Sequence, residues 1–253
     1  LGDMIKKSGE IEVNGRLAYV PQEAWIRNAT IRENIILDQR YDSRRYKAVI
    51  EACSLNMDFA LFASGDLTEV GEKGINLSGG QKQRISLARA VYSGSNIFLF
   101  DDPLSALDAH VSKHIYDGVI GPEGSLKKRT RILVTHKLSL LTSVDNVLYI
   151  DHGRIVEYGP FEKLIENKGS FSEYVAEYFL DRMKDSDETD EAEIKFMEHV
   201  RSQIEPVFER LESMQSRQLS MSLSRQMSIQ EKIQSEIHRS QSIKKSSKDT
   251  KNA

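Results

Sequence analysis

The sequence predicts an α/β fold in which a parallel core sheet and a helical subdomain are followed by a polar tail. A serine and two glycines at 78–80 stand directly before an amphipathic run from Gln81 to Val91, as in a capped helix. The apolar residues 97–100 end in two aspartates, and the run 131–135 ends in His136. Such runs are typical of buried parallel strands. Ligands bind beyond the carboxyl ends of these strands, so both ends are candidate sites.

Length, composition and charge restrict the functional classes. The chain has 253 residues, a formal net charge of -3 and one cysteine, Cys53. This length suits one sizeable domain with a tail, and the charge favours neither nucleic acid nor a membrane surface as partner. One cysteine cannot form an intramolecular disulfide, which suits a reducing compartment. The chain begins at Leu1 without a methionine, and we expect it to be a piece of a longer protein.

The N-terminal region is predicted to contain the end of a helix followed by a hairpin. Residues 1–7 resemble the last turns of a helix. Extended runs at 10–13 and 17–20 flank an Asn-Gly pair at 14–15, which is a strong hairpin signal. Trp25 follows, and both a docking contact and a core position are compatible with it.

Short helices are predicted to form the subdomain that carries the 78–80 motif, because apolar residues recur there at three- and four-residue spacing. We expect these helices at Thr30–Ile35, Ser43–Cys53 and Met57–Ala63, with Ser43 as an N-cap. Runs at 146–150 and 154–157 flank a turn that contains glycine, and they predict a second hairpin. Closing helices are expected at Pro160–Ile165 and Phe171–Leu180.

The 78–80 motif is a candidate phosphate-binding segment. Ser78 can cap the helix, while Gly79 and Gly80 let backbone N–H groups approach an anion without interference from a Cβ atom. The positive end of the helix dipole adds to this attraction. A P-loop would require a Gly-Lys dipeptide, and the sequence contains none. We therefore expect this chain to contain no complete P-loop.

Taken together, the motifs resemble the nucleotide-binding domain of an ABC transporter. L-S-G-G-Q at 77–81, the strand with two acids, S-A-L-D at 105–108 and V-T-H at 134–136 occur in that order. Their flanks resemble the first such domain of subfamily C, the multidrug resistance-associated proteins, up to about residue 180. The resemblance implies a P-loop NTPase-like fold, incomplete at its N-terminus before or within the P-loop helix, so we expect the isolated chain to bind ATP poorly. It divides the chain into a partial nucleotide-binding domain, 1–180, and a charged, serine-rich linker, 181–253, toward a second transmembrane domain.

The resemblance also implies roles around ATP and Mg²⁺. By position, Gln22 ligates Mg²⁺ and senses the γ-phosphate, Asp101 holds Mg²⁺ through water, and His136 contacts the γ-phosphate. Asp102 stands where the family usually has a glutamate as catalytic base. An aspartate is one methylene shorter, so we expect impaired hydrolysis at this site. Nucleotide contacts are implied for Ser78, Gly79, Gly80, Gln81 and Asp108.

The implied function belongs to a whole transporter. Ser78–Gln81 would complete the ATP site of a second nucleotide-binding domain, so the partners are that domain and the transmembrane domains. ATP hydrolysis would drive efflux of amphipathic organic anions, conjugates or drugs from the cytosolic face of a membrane. Two alternatives stay open: a non-hydrolytic interaction module and a channel-regulating member of the subfamily. A soluble ABC-type ATPase of DNA repair or chromosome cohesion is disfavoured, because 43–72 is too short for its heptad insertion.

The tail is charged, polar and rich in serine from about residue 181. Apolar residues from Ile194 to Met214 follow helical spacing, and Pro206 is expected to kink or end that helix. The helix could dock on a protein surface or form only in part. Arginine stands three residues before Ser220, Ser228 and Ser242, a pattern that predicts phosphorylation by a basic-directed kinase. A solvated linker is the alternative.

Overall fold

The computed structural model describes residues 4–71, 76–182, 193–211 and 213. Their contacts divide the chain into two compact units, Leu1–Val144 and Asp145–Ala253. The boundary proposed at residue 180 follows the sequence resemblance and stays a prediction.

A three-stranded parallel sheet forms the centre of the first unit. It consists of β1 (Leu17–Val20), β2 (Ile97–Asp101) and β3 (Thr130–Val134), with β2 in the middle. Both strand pairs are parallel and in register, so the three carboxyl ends lie at one edge of the sheet. This arrangement confirms the predicted parallel core.

Helices pack on one face of this sheet. They are α1 (Ile31–Ile36), α2 (Ser43–Ala52), α3 (Asn56–Leu61), α4 (Gly79–Ser93) and α5 (Ala109–Ile115). From β2, Phe98 and Phe100 enter the core beneath them and are almost completely buried. The opposite face carries half-exposed apolar side chains, including Tyr19, Ile132 and Val134. The predicted helical subdomain is therefore present, with α4 as its longest helix.

The second unit combines a hairpin with helices. Strands β4 (Val147–Asp151) and β5 (Arg154–Gly159) are antiparallel, which confirms the second predicted hairpin. His152 and Gly153 in its turn both have positive φ, as a type I′ turn requires. The helices are α6 (Phe161–Glu166), α7 (Ser170–Arg182) and α8 (193–211).

Helix α8 lies against the other helices of the second unit. The Phe196 ring contacts Phe161 of α6 and Phe179 of α7, each at 5.7 Å between ring centroids. The helix continues past Pro206, so Pro206 does not end it, and the alternative expectation of a kink stays a prediction. Burial of apolar side chains on both sides of Pro206 offsets the backbone hydrogen bond that proline cannot make. These buried side chains are Val200, Ile204, Val207 and Phe208.

Three N-terminal expectations were wrong. Residues 4–7 are not helical, and 10–13 form no strand; β1 pairs with the distant β2 instead of a neighbouring hairpin strand. The N-cap of α2 is Asp42, whose side chain accepts a hydrogen bond from the Arg45 N–H at 2.9 Å. Ser43 is therefore the first residue of the helix rather than its cap.

Thr30 begins α1 through a reciprocal capping box. Its Oγ1 accepts from the Glu33 N–H at 3.2 Å, and its own N–H donates to Glu33 Oε2 at 2.9 Å. We expect Thr30→Ala to lower the free energy of unfolding by about 1 kcal/mol in urea denaturation. Thr142→Ala is the matched control, because that hydroxyl donates only to the nearby Ser139 carbonyl. Equal losses in the two variants would contradict the role of the cap.

Candidate functional site

The N-terminus of α4 is shaped by the motif that stands out in the sequence. Ser78 is extended, and its Oγ accepts from the Gln81 N–H at 3.2 Å. In return, Gln81 Oε1 accepts from the Ser78 N–H at 2.9 Å. The predicted Ser78 cap is confirmed. Because the Ser78 oxygen acts as an acceptor in this cap, its hydroxyl proton is free to be donated to an anion.

The two glycines of the motif have different surroundings. A Cβ atom on Gly80 would lie 3.2 Å from the Ala106 carbonyl oxygen, so Gly80 allows close packing of α4 against the S-A-L-D loop. A Cβ atom on Gly79 would meet no atom within 4 Å. The backbone at Gly79 therefore faces open space, where a ligand can approach it.

A buried carboxylate that the sequence did not predict fixes the first turn of α4. Asp58 of α3 is 7% exposed. Its Oδ1 accepts from Gln81 Nε2 at 2.9 Å, and its Oδ2 accepts from the Arg84 guanidinium at 2.6 Å. Gln81 and Arg84 are three residues apart and so share one face of the helix. This spacing was the only sign in the sequence that both could bind one partner. Asp58 thus joins α3 to the first turn of α4.

The carboxyl ends of β2 and β3 hold the predicted acidic residues and histidine. Asp101 Oδ2 accepts from the Tyr19 hydroxyl of β1 at 3.0 Å. Asp102 is 7% exposed and has φ 47°, a left-handed backbone. Its Oδ2 lies 3.1 Å from His136 Nδ1. Its Oδ1 is buried and has no hydrogen-bond partner among the described residues. The structure therefore brings Asp102 and His136 together as a pair.

The remaining predicted residues lie around this edge. Gln22 is exposed, two residues after the end of β1. Asp108 caps α5, and its Oδ1 accepts from the Val111 N–H at 2.9 Å. Within the described ranges, no three His, Cys, Asp or Glu side chains converge as a metal site. The roles implied for Gln22 and Asp108 stay predictions.

The loop that contains Gln22 is bound to α4 at both ends. Gln83 Nε2 donates to the Pro21 carbonyl at 3.2 Å, and Arg89 Nη1 donates to the Trp25 carbonyl at 3.1 Å. The Arg89 guanidinium also lies 3.9 Å from the centre of the Trp25 ring, which is 51% exposed. Burial lowers the pKa of Arg89 to about 10, so it remains charged at neutral pH. These contacts therefore hold the loop against α4.

Replacing Arg89 by lysine should release this loop. Arg89 Nε additionally donates to the Asn34 carbonyl at 2.7 Å, and an ammonium cannot reproduce these planar, divergent contacts. We expect Arg89→Lys to lower the free energy of unfolding by about 2 kcal/mol and to accelerate amide hydrogen exchange at 22–26. Arg44→Lys on the exposed face of α2 is the control. Unchanged exchange in the Arg89 variant would contradict the link.

Comparison with known proteins assigns the family. Residues 2–105 match the family described as ABC transporter. The chain is 51% identical over 181 residues to human ATP-binding cassette sub-family C member 3, covering 72% of this chain and 12% of that protein. It is 53% identical over 178 residues to multidrug resistance protein mrp-7 of Caenorhabditis elegans, covering 70% and 12%. The chain belongs to the ABC transporter family. The predicted resemblance to subfamily C and the predicted α/β class are confirmed.

Because the chain belongs to this family, the N-terminus of α4 and the Asp102–His136 pair can be considered together. An ABC domain binds ATP. Residues 77–81 of this chain carry the L-S-G-G-Q sequence and are called the signature segment below. Human sub-family C member 2 is similar as well, with 52% identity over 172 residues, 68% of this chain and 11% of that protein. The chain thus spans about an eighth of the length of the relatives it matches. No helix in the described ranges is both long and apolar enough to cross a bilayer.

Proposed function

We propose that this chain contributes the signature half of an ATP site in a subfamily C transporter. Ser78–Gln81 would bind the nucleotide held by the P-loop of a second nucleotide-binding domain. Nucleotide-driven closure of the two domains would power efflux of amphipathic organic anions, conjugates or drugs through transmembrane domains, from the cytosolic side of a membrane. The observation that carries the proposal is the capped α4 N-terminus, with open space at Gly79.

The first turn of α4 has the chemistry to bind phosphate. The first N–H groups of a helix lack partners within the helix, and α4 is long enough, at 15 residues, for its dipole to favour an anion there. The Ser78 hydroxyl adds a donor, while Asp58 keeps Gln81 and Arg84 in place. The backbone N–H groups and the Ser78 hydroxyl thus bind phosphate as neutral donors.

The strand edge fits a nucleotide with Mg²⁺. The buried Asp102 Oδ1 lacks a donor among the described residues, and a buried carboxylate oxygen requires one. A water molecule beside the γ-phosphate would supply that donor, and Asp102 would accept its proton at Oδ1. His136 holds the other oxygen, so the carboxylate is oriented. Asp101 and Gln22 would hold Mg²⁺, which neutralises phosphate charge when bound.

Nucleotide-dependent association tests the proposal. The chain would be mixed with the second nucleotide-binding domain of the same transporter, and the association measured by sedimentation velocity. We expect tight association with ATP and Mg²⁺, and weak association with AMP or without nucleotide. The chain alone should show little ATP binding by calorimetry. Association that is indifferent to nucleotide would favour the alternative, a non-hydrolytic interaction module.

We also propose phosphorylation of the tail by a basic-directed kinase. The candidate serines are Ser220, Ser228 and Ser242, which lie outside the described residues. Each has an arginine three positions before it, and a phosphate there would reverse the local charge. Treatment of the chain with cAMP-dependent protein kinase should phosphorylate these serines, detected by mass spectrometry. Arg217→Ala should reduce modification of Ser220 but not of Ser242. Absence of phosphate from all three would remove the proposal.

A further inference from the structure

A cavity of about 480 Å³ lies at the C-terminal end of α4, away from the signature segment. Since α4 has 15 residues, its two ends are about 22 Å apart. The walls come from α2, the end of α4, the start of β2 and the segment before β3. All of these elements belong to the first unit. The cavity is therefore separate from the candidate nucleotide site, and its volume is typical of small-molecule sites.

The base of the cavity is apolar. Val49 of α2, Phe98 of β2 and Leu126 line it, and all three are at most 5% exposed. Val91 and Ala52 extend the same surface. Side chains of this kind favour the apolar body of a ligand, because its surface leaves water on binding.

The rim of the cavity is cationic. Arg16, Arg45 and Arg129 line it, and no lining residue is acidic. Arg16 donates to the Ser93 and Gly94 carbonyls at 3.4 and 3.3 Å. Arg45 donates to the Tyr92 carbonyl and lies 4.6 Å from the centre of the Tyr92 ring. These contacts fix two guanidinium groups at the negative end of α4.

Of the three arginines that line the cavity, Arg129 is the one without a partner among the described residues. Its guanidinium makes no hydrogen bond or ion pair with any residue in the described ranges, whereas Arg16 and Arg45 are anchored. A guanidinium has five N–H donors and prefers planar oxyanions such as carboxylate or phosphate. The cations of the rim and the apolar base together complement a ligand that carries an anionic group on an apolar body.

We propose that this cavity binds a small amphipathic anion, in which a carboxylate, sulfonate or phosphate is carried on an apolar body. The anionic group lies against Arg129, with Arg16 and Arg45 beside it, and the apolar body covers Val49, Phe98 and Leu126. A bound ligand contacts both α2 and α4, so it stabilises the packing of these two helices.

The test uses 8-anilinonaphthalene-1-sulfonate and its uncharged analogue N-phenyl-1-naphthylamine, titrated into the 253-residue chain with fluorescence detection. We expect one saturable site for the sulfonate and roughly tenfold weaker binding of the uncharged analogue, because the analogue lacks the charge-assisted hydrogen bonds. Equal affinity for the two probes would overturn the anionic part of the proposal.

Two variants and a control locate the site. Arg129→Gln should weaken binding of the sulfonate roughly tenfold, since that side chain supports nothing else in the described structure. Ala52→Leu should abolish saturable binding by filling the cavity, with folding checked by circular dichroism. Lys128→Gln removes a neighbouring charge outside the lining and should leave the affinity unchanged. Unaltered binding in both Arg129→Gln and Ala52→Leu would show adsorption elsewhere and overturn the proposal.

Discussion

Asp58→Asn is expected to destabilise the first unit by about 3 kcal/mol, because it leaves the Arg84 guanidinium buried without its counter-charge. The Arg84 and Asp58 side chains are only 13% and 9% exposed, and their atoms lie 2.6 Å apart. The amide keeps the size and shape of the carboxylate, so the packing volume does not change. Urea denaturation of the chain measures the loss directly.

The effect of Asp58→Asn should extend to the signature segment. Asp58 also binds Gln81, so the variant should weaken nucleotide-dependent association even where the chain remains folded. Asp117→Asn is the matched control: in its ion pair with Lys113 the two side chains are 59% and 72% exposed, and we expect a loss of less than about 1 kcal/mol. A loss for Asp58→Asn no greater than that of the control would contradict the role of the buried pair.

Local patterns in the sequence predicted local structure well. The Ser78 cap depends on residues three positions apart, and the second hairpin depends on a turn of two positive-φ residues. The first hairpin failed although its Asn-Gly signal was equally strong. There, β1 pairs in parallel with β2, about 80 residues away, and burial in the core sheet outweighs the turn preference.

The contacts that order the site were not predictable, because they join distant residues. Asp58 binds Gln81 and Arg84 across 23 and 26 positions, and Arg89 reaches Trp25 across 64. No periodicity marks such pairs. The left-handed backbone of Asp102 could not be predicted from the sequence either, because aspartate adopts this conformation only where the surrounding structure imposes it.

Gly79 is the residue at which the first turn of α4 faces open space. Gly79→Asp would place a carboxylate where we propose that phosphate binds. An acid in the first turn favours the helix, so the variant should fold normally. The charge of the aspartate should repel the nucleotide, and the nucleotide should lose its hydrogen bonds to that turn. We therefore expect ATP-dependent association with the second nucleotide-binding domain to weaken by roughly a hundredfold.

Comparison of Gly79→Asp with Ser125→Asp is the most direct measurement of the proposed nucleotide contact. Ser125 is exposed and lines the cavity at the C-terminal end of α4, so its variant adds the same charge at the opposite end of a helix that is about 22 Å long. Sedimentation velocity with ATP and Mg²⁺ should show association for the wild-type chain and Ser125→Asp, and its loss for Gly79→Asp. Association of Gly79→Asp with wild-type affinity would contradict the assignment of the α4 N-terminus as a nucleotide site.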